Sequence, residues 1–192
     1  MKKLLVTGFD PFGTALRNPS WEVVQRLPDR IGDYRLWKLG IPTIFGKAAA
    51  EVLKAAEELE PDGILCVGLA AGRDAVTPER IAMNIRDARI PDNCGFQPQG
   101  ERIDPEGPAA YFTTVPVEAM AQAIRDTGIP GAVSNTAGTY VCNDVLYTLL
   151  HHYAGTAVRV GFIHVPQLPD QGAPSLPLEK TITALTAAIQ AC

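Results

Sequence analysis

The chain has 192 residues, 46% of them hydrophobic and 20% charged, which predicts one globular domain, residues 1–192, with a sizeable core. Its formal net charge is −4 and it contains no run of like charges. These properties argue against nucleic acid and against an anionic membrane surface as partners.

The N-terminal segment carries two lysines and a short apolar run, which Asp10 and Pro11 end well before the length of a signal-peptide core. No later stretch is apolar over the length needed to span a membrane. We therefore expect a cytoplasmic protein.

The four cysteines are widely spaced along the chain: Cys66, Cys94, Cys142 and Cys192. They form neither a Cys-x-x-Cys pair nor a cysteine-histidine ligand spacing. We therefore expect no disulfide framework and no metal site, and each cysteine has to be considered separately.

Predicted strands and helices alternate along the chain. Apolar runs or alternating patterns predict strands at 3–9, 34–42, 63–72, 80–86, 131–136 and 157–165. Helical spacing of apolar residues predicts helices at 18–27, 44–59, 117–128, from about 139–141 onward, and at 178–191. In the first helix, Asn18 is the expected cap and Pro19 the first helical residue.

This alternation predicts an α/β sandwich whose sheet is mostly parallel and covered by helices on both faces. In such sheets ligands bind beyond the carboxyl ends of the strands. The segments that follow strands are "GFDPFG", "GLAAGR", "TAGTYVC" and "IHVP". The second is neither a phosphate-binding loop nor a dinucleotide-binding fingerprint.

Cys142 lies near the start of the helix that follows "TAGTY". Free N–H groups and the positive dipole end of a helix favour a thiolate over a thiol, and they can also hold a developing oxyanion. A buried cysteine that fills a small space in the core fits the same local pattern. The pattern alone leaves both interpretations open.

His164 and Glu79 are the side chains that could work with such a thiol. His164 ends an apolar strand at the edge where the Cys142 turn should emerge, whereas His151 and His152 are consecutive on a helix and suit solvated roles. Glu79 precedes an alternating strand and could orient the imidazole. Composition alone favours a surface carboxylate instead, and three nearby arginines could pair with it there: Arg73, Arg80 and Arg89.

Two aromatic residues, Phe9 and Phe12, occupy the turn after the first strand. Exposed rings there would be unfavourable unless neighbouring loops or a ligand cover them. They indicate either loop packing or a flat apolar slot for a ring-shaped ligand.

Four blocks taken together resemble the pyroglutamyl-peptidase I family, in the same order from the N-terminus to about Gln171. The blocks are "VTGFDPFG" with "NPSWEVV", "GLAAGR" through "TPERIAMNIRDARIPDNCGFQP", "SNTAGTYVCNDVLY", and "GFIHVPQLPDQ". The resemblance implies a three-layer α/β/α sandwich with a mixed, mostly parallel central sheet. It also implies a metal-independent cysteine peptidase without cofactors, commonly a homotetramer, that removes N-terminal pyroglutamate from peptide substrates.

The resemblance also assigns roles to residues. "TPERIA" places the family's glutamate at Glu79, "GTYVCN" its cysteine at Cys142 and "IHVP" its histidine at His164. The arginine of "DAR", Arg89, would help to stabilise the oxyanion. The lactam ring would be surrounded by Phe9, Phe12, Tyr140 and Val141.

The chain departs from the family pattern at two places. Leu69 and Ala71 stand in a segment where the family often has Gly-Gln-Ala-Gly-Gly-Arg, so a side-chain role there would be lost while a main-chain role would survive. Tyr140 stands where phenylalanine is also found, which adds a hydroxyl beside the expected pocket.

Two other function classes stay open on the sequence. One is another amidase, or a nucleoside phosphorylase on a related sandwich, although no phosphate-binding loop is recognisable. The other is a small-molecule binding or thiol-sensing module in which Cys142 is oxidised rather than acylated. The turn-rich loop from Asn93 to Gly107 is expected to form a subunit contact or the rim of the site.

Overall fold

The computed structural model describes residues 1–192, with eight strands, five α-helices and one short 3-10 helix. In chain order the elements are β1 Lys2–Phe9, α1 Pro19–Arg26, β2 Arg30–Ile31, β3 Tyr34–Ile41, α2 Lys47–Leu59, β4 Gly63–Leu69, β5 Thr77–Pro78, β6 Ile81–Met83, β7 Ala110–Phe112, α3 Val117–Asp126, α4 Val141–His152, β8 Arg159–Val165, the 3-10 helix Pro169–Gln171 and α5 Leu178–Gln190. The long predicted elements are all present, and α1 has the predicted cap, since the Asn18 side chain accepts a hydrogen bond from the Ser20 N–H.

The central sheet has six strands in the order β2-β3-β1-β4-β8-β5. The inner pairs β3/β1, β1/β4 and β4/β8 are parallel, while the edge strands β2 and β5 are antiparallel to their neighbours. The prediction of a mostly parallel, mixed sheet is confirmed.

Helices cover both faces of this sheet and make three layers. Side chains alternate across each strand, so Leu4 and Val6 of β1 pack toward α1, α3 and α5, whereas Leu5 and Phe9 pack toward α2 and α4. Burial of these two apolar faces is the main favourable contribution to folding. No helix is long and apolar enough to cross a membrane.

Two predicted strands differ in the structure. The segment predicted as a strand at 80–86 contains β6, which pairs with β7 in a separate two-stranded antiparallel sheet. The segment predicted at 131–136 runs parallel to 76–80 but forms only isolated bridges to it. The pairing stops early because the Ser134 hydroxyl accepts a hydrogen bond from the Thr136 N–H and the chain bends there.

The predicted turn-rich loop is ordered by side chains that bind main-chain groups. The Oδ1 atom of Asn84 accepts hydrogen bonds from the N–H groups of Ile103 and Asp104 at 2.8 and 2.9 Å. The Oδ1 atom of Asp92 accepts from the N–H groups of Cys94 and Phe96, both at 2.9 Å. Such bonds replace the ladder bonds that regular secondary structure would supply.

The first turn of α4 is fixed to its surroundings by two fully buried polar residues, Asn143 and Asp144. Asn143 bonds to the main chain of Met83 in β6. Asp144 accepts from the Gly46 N–H at 2.8 Å, just before α2, and from the Arg86 Nε at 2.6 Å. These contacts set the position of the residue before them, Cys142.

Asp144→Ala should lower the free energy of unfolding by about 2 to 3 kcal/mol, because it leaves the Arg86 guanidinium and the Gly46 N–H without their partner. Urea unfolding followed by circular dichroism measures the change. The control is Asp170→Asn, which breaks an exposed pair with Arg17 and should cost less than about 0.5 kcal/mol. If both variants lost the same small amount of unfolding free energy, the buried Asp144–Arg86 pair would not be the stabilising contact that we expect.

Candidate active site

Three side chains from separate elements meet near the carboxyl ends of β4 and β8. Cys142 is the second residue of α4, His164 is the penultimate residue of β8, and Glu79 directly follows β5. The antiparallel register of β5 on β8 pairs Thr77 with His164, and the Glu79 N–H then donates to the Phe162 carbonyl at 2.9 Å. The edge strand β5 therefore places the Glu79 carboxylate next to the His164 imidazole.

His164 and Glu79 form a buried hydrogen-bonded pair. The Nδ1 atom of His164 lies 2.7 Å from the Oε1 atom of Glu79, and the two residues are 4% and 0% exposed. A carboxylate only accepts hydrogen bonds, so Nδ1 carries the proton and Nε2 is left with a free lone pair. The arrangement supplies an oriented base.

Glu79 is not the surface carboxylate that composition alone allowed. Among the three arginines considered as its partner, Arg73 pairs with it, with Nη1 at 2.6 Å from Oε1. Arg80 pairs with Glu118 at the surface instead. The second carboxylate oxygen, Oε2, is buried and makes no hydrogen bond.

The charge states of the pair follow from burial and contact. Burial alone would raise the pKa of Glu79, but the contact with His164 and, to a smaller extent, the charge of Arg73 outweigh it and hold this pKa below its usual value. Burial lowers the pKa of His164, and Glu79 only partly opposes that effect. At neutral pH the pair is therefore a carboxylate and a neutral imidazole.

The Cys142 thiol is protonated at rest. Burial, followed by the negative charge of Glu79, raises the pKa of Cys142 to about 12. In the free site, burial therefore outweighs the preference for a thiolate that the helix N-terminus supplies. A thiol in this state needs a neighbouring base before it can act as a nucleophile.

Cys142 and His164 face one cavity of about 240 Å³. The complete lining is Phe9, Phe12, Asn18, Thr43, Leu69, Ala70, Arg73, Thr136, Ala137, Gly138, Tyr140, Cys142 and His164. Most of the wall is apolar, none of its side chains is acidic, and Arg73 is the one that carries a charge. No group of three or more His, Cys, Asp or Glu side chains is placed to hold a metal ion.

The structure brings three of the four expected ring-binding residues to this cavity: Phe9, Phe12 and Tyr140. Val141 is different, because its side chain is 0% exposed and lies in the core between the sheet and α4. It is on the same helical stripe as Val145 and Leu149, which directs it away from the cavity.

Arg89 is exposed and lies in a neighbouring depression of about 630 Å³, which shares Phe12, Gly138 and Tyr140 with the first cavity. Its guanidinium forms no ion pair or side-chain hydrogen bond within the chain. It is thus adjacent to the Cys142 cavity but does not line it, and its role with the oxyanion stays a prediction.

Gly68 is a site residue that the sequence patterns did not indicate. It pairs with His164 across β4 and β8, and a Cβ atom there would lie 2.9 Å from the Cys142 sulfur and 2.7 Å from Cζ of Phe162. Only a residue without a side chain leaves room for the thiol. A glycine near the end of a buried apolar strand was the available signal.

Of the two departures from the family pattern, Leu69 lines the cavity and Ala71 does not. The hydroxyl of Tyr140 donates to the carbonyl of Pro91 at 3.0 Å. This bond directs the hydroxyl to the loop that begins at Pro91, and the ring of Tyr140 forms the cavity wall.

Comparisons with known proteins identify the family of the chain. A family model described as pyroglutamyl peptidase matches residues 2–192. A pyrrolidone-carboxylate peptidase of Levilactobacillus brevis is 54% identical over 196 residues, covering 98% of this chain and 96% of that protein.

Solved structures are similar over the whole fold. The pyroglutamyl peptidase I of Bacillus amyloliquefaciens superposes with a TM-score of 0.95 at 46% identity, covering 99% of this chain and 96% of that one. The pyrrolidone carboxyl peptidase of Thermococcus litoralis superposes with a TM-score of 0.95 at 40% identity, covering 100% and 93%. The chain belongs to the pyroglutamyl peptidase family, and it is therefore a peptidase.

Proposed function

We propose that this chain hydrolyses the amide bond after an N-terminal pyroglutamyl residue of a peptide and releases free pyroglutamate. Cys142 is the nucleophile, His164 the general base and acid, and Glu79 the group that orients the imidazole. The observation that carries the proposal is the buried Glu79–His164 pair facing the same apolar cavity as the Cys142 thiol.

Acylation begins when Cys142 attacks the pyroglutamyl carbonyl carbon. Its thiol proton passes to Nε2 of His164, and the resulting imidazolium is stabilised by the Glu79 carboxylate. Because the neutral thiol predominates at rest, proton transfer accompanies attack rather than preceding it. A free thiolate, with its full negative charge on sulfur, is thereby avoided in the apolar cavity.

The tetrahedral oxyanion would be stabilised at the start of α4. This helix has no side-chain cap, so the N–H groups of its first turn, including that of Cys142, are available to an anion. Arg89 is the second proposed donor, and it would have to reach over from the adjoining depression.

Collapse of the intermediate breaks the amide bond as His164 returns the proton to the leaving amine. A thioester between Cys142 and the pyroglutamyl group remains. Water then attacks this thioester, with His164 again as base, and pyroglutamate leaves as the free acid. Glu79 stays ionised throughout.

The cavity wall supports selection of a neutral ring. A pyroglutamyl group has no α-ammonium because its nitrogen is acylated within the lactam, so it needs no acidic counter-charge. An N-terminal proline has a similar shape but carries a positive charge, and the only charged wall residue, Arg73, is also positive. Phe9, Phe12 and Tyr140 are proposed to contact the two faces and the edge of the lactam.

A homo-oligomer, a tetramer by family resemblance, and a cytoplasmic location are also part of the proposal. Large apolar side chains remain exposed on the single chain, among them Phe112 at 69% and Ile90 at 46%, which supports burial in an assembly. All four cysteines are unpaired, which suits a reducing compartment. Light scattering coupled to size exclusion measures the assembly, and a monomer at micromolar concentration would contradict it.

Cys142→Ala should lower kcat/KM by roughly 10⁴-fold or more, because no other group can form the acyl-enzyme. A fluorogenic pyroglutamyl amide provides the assay. The matched control is Cys94→Ala, which removes an exposed thiol and should keep full activity. Excess chelator should have no effect and iodoacetamide should abolish turnover; an active Cys142→Ala variant would rule out the nucleophile assignment.

His164→Ala should lower kcat/KM by roughly 10²-fold or more, the usual effect of losing a general base. The same fluorogenic assay measures the loss.

Glu79→Gln should lower kcat/KM less than Cys142→Ala does. It should also move the acid limb of the pH profile of kcat/KM. Glu79 raises the pKa of His164, so its neutralisation should shift that limb down by about 0.5 to 1 pH unit. A limb that moves upward would contradict the orientation of the imidazole by a carboxylate.

Gly68→Ala should lower kcat/KM by about 10²-fold, because the new methyl group displaces the thiol from its attacking position. The control is Gly63→Ala on the same strand, where the nearest atom is a flexible Leu4 methyl at 3.2 Å. Kinetics and thermal unfolding of both variants separate the two effects. Similar kcat/KM in the two variants would show that activity does not depend on the space that Gly68 leaves beside the Cys142 sulfur.

A further inference from the structure

One oxygen of Glu79 accepts two charged or polar donors. Its Oε1 atom lies 2.7 Å from Nδ1 of His164 and 2.6 Å from Nη1 of Arg73. The three-residue mechanism described above accounts for the first contact and leaves the second unexplained. Glu79 is completely buried and Arg73 is 30% exposed, so the ion pair is largely enclosed.

Arg73 is held in place by contacts to other segments. Its Nη1 atom also donates to the hydroxyl of Thr77 in β5, and its Nη2 atom donates to the carbonyl of Thr136 at 3.2 Å. Thr136 belongs to the segment that leads into Cys142. One planar guanidinium therefore joins the loop after β4, the strand before Glu79 and the approach to the nucleophile.

The charged and titratable groups around His164 come from three elements. Glu79 and Arg73 face it directly, the Cys142 thiol faces it from α4 across the cavity, and the buried Cys66 thiol of β4 lies on the same side of the sheet. Glu79 favours the imidazolium, and Arg73 disfavours it. Burial is the main effect that disfavours the imidazolium, and Arg73 adds to burial by partly offsetting the carboxylate.

We propose that Arg73 is a positioning residue that fixes Glu79 and, by partly balancing its charge, adds to burial in keeping His164 neutral and ready to accept the Cys142 proton. The inference rests on the proposed function, since it assigns Arg73 a part in the same reaction. It acts through Glu79 and His164, without a covalent or proton-transfer step of its own.

The test compares the pH dependence of kcat/KM in Arg73→Gln and in the wild type. Loss of a positive charge favours the protonated imidazole, so the acid limb should move up by about 0.5 to 1 pH unit. This direction is opposite to that expected for Glu79→Gln. A purely structural role would lower kcat/KM without moving the limb, and that result would overturn the proposal.

Arg80→Gln is the matched control, because Arg80 is adjacent to Glu79 in the chain but pairs with Glu118 at the surface. Its acid limb should coincide with that of the wild type. A shift in Arg80→Gln equal to that in Arg73→Gln would show that the effect is not specific to the buried pair.

A second measurement does not depend on peptidase activity. The second measurement is the pH profile of the rate at which iodoacetamide alkylates Cys142, followed by peptide mass spectrometry. This profile should move to higher pH in Arg73→Gln, because the lost charge also favours the protonated thiol. If the wild type fails to hydrolyse a pyroglutamyl amide, the proposed function falls while this profile still tests Arg73. An unchanged alkylation profile would count against the role of its charge.

Arg73→Lys covers the case in which Arg73→Gln does not fold. An ammonium keeps the charge, so the acid limb should stay within about 0.3 pH unit of the wild type. It cannot reach both Glu79 and the Thr136 carbonyl, so kcat/KM should fall by about 10-fold. Wild-type kcat/KM in Arg73→Lys would overturn the positioning role.

Discussion

The candidate active site depends on one buried negative charge. A carboxylate that is 0% exposed is tolerated only where hydrogen bonds and opposite charge replace water, and Glu79 obtains both through a single oxygen. The same contacts fix the tautomer and orientation of His164. Because β5 is a short antiparallel edge on β8, the chain can turn immediately afterwards and place this carboxylate beside the imidazole.

The second requirement is a fixed position for Cys142, the proposed nucleophile. Asn143 and Asp144, the two residues after Cys142, bind β6 and the segment before α2, so the first turn of α4 cannot rotate without breaking buried hydrogen bonds. Gly68 then leaves the space in which the sulfur lies. The position of the Cys142 sulfur is thus set by contacts of α4 with β6, with the segment before α2 and with β4.

Much of this arrangement could be predicted from the sequence. Runs of apolar residues predicted the main strands, and apolar residues at helical spacing predicted the helices. The ends of the predicted strands then indicated the segments that carry Cys142 and His164. The role of Glu79 came from the family resemblance, since composition alone favoured a surface carboxylate. The two-residue strands β2 and β5 could not be predicted, because periodicity needs more residues than they contain.

Other features depend on tertiary contacts that no local pattern shows. Three arginines near Glu79 in sequence were equivalent candidates, and only the fold selects Arg73 as its partner. The protonation of the thiol depends on burial, which overrides the local preference of a helix N-terminus. For Val141, helical periodicity pointed to the core and the resemblance to the pocket, and the side chain lies in the core.

The hydrogen bond from Tyr140 to Pro91 has a consequence for ligand affinity in the cavity that we propose as the lactam site. It immobilises an aromatic wall ring that also lies edge-on to Phe45, with the ring centroids 5.3 Å apart. A ring held in this way loses its rotational freedom when the protein folds, so little is left to lose when a ligand arrives. The added hydroxyl thus makes the slot stiffer without making it more polar, and a stiff slot discriminates by shape.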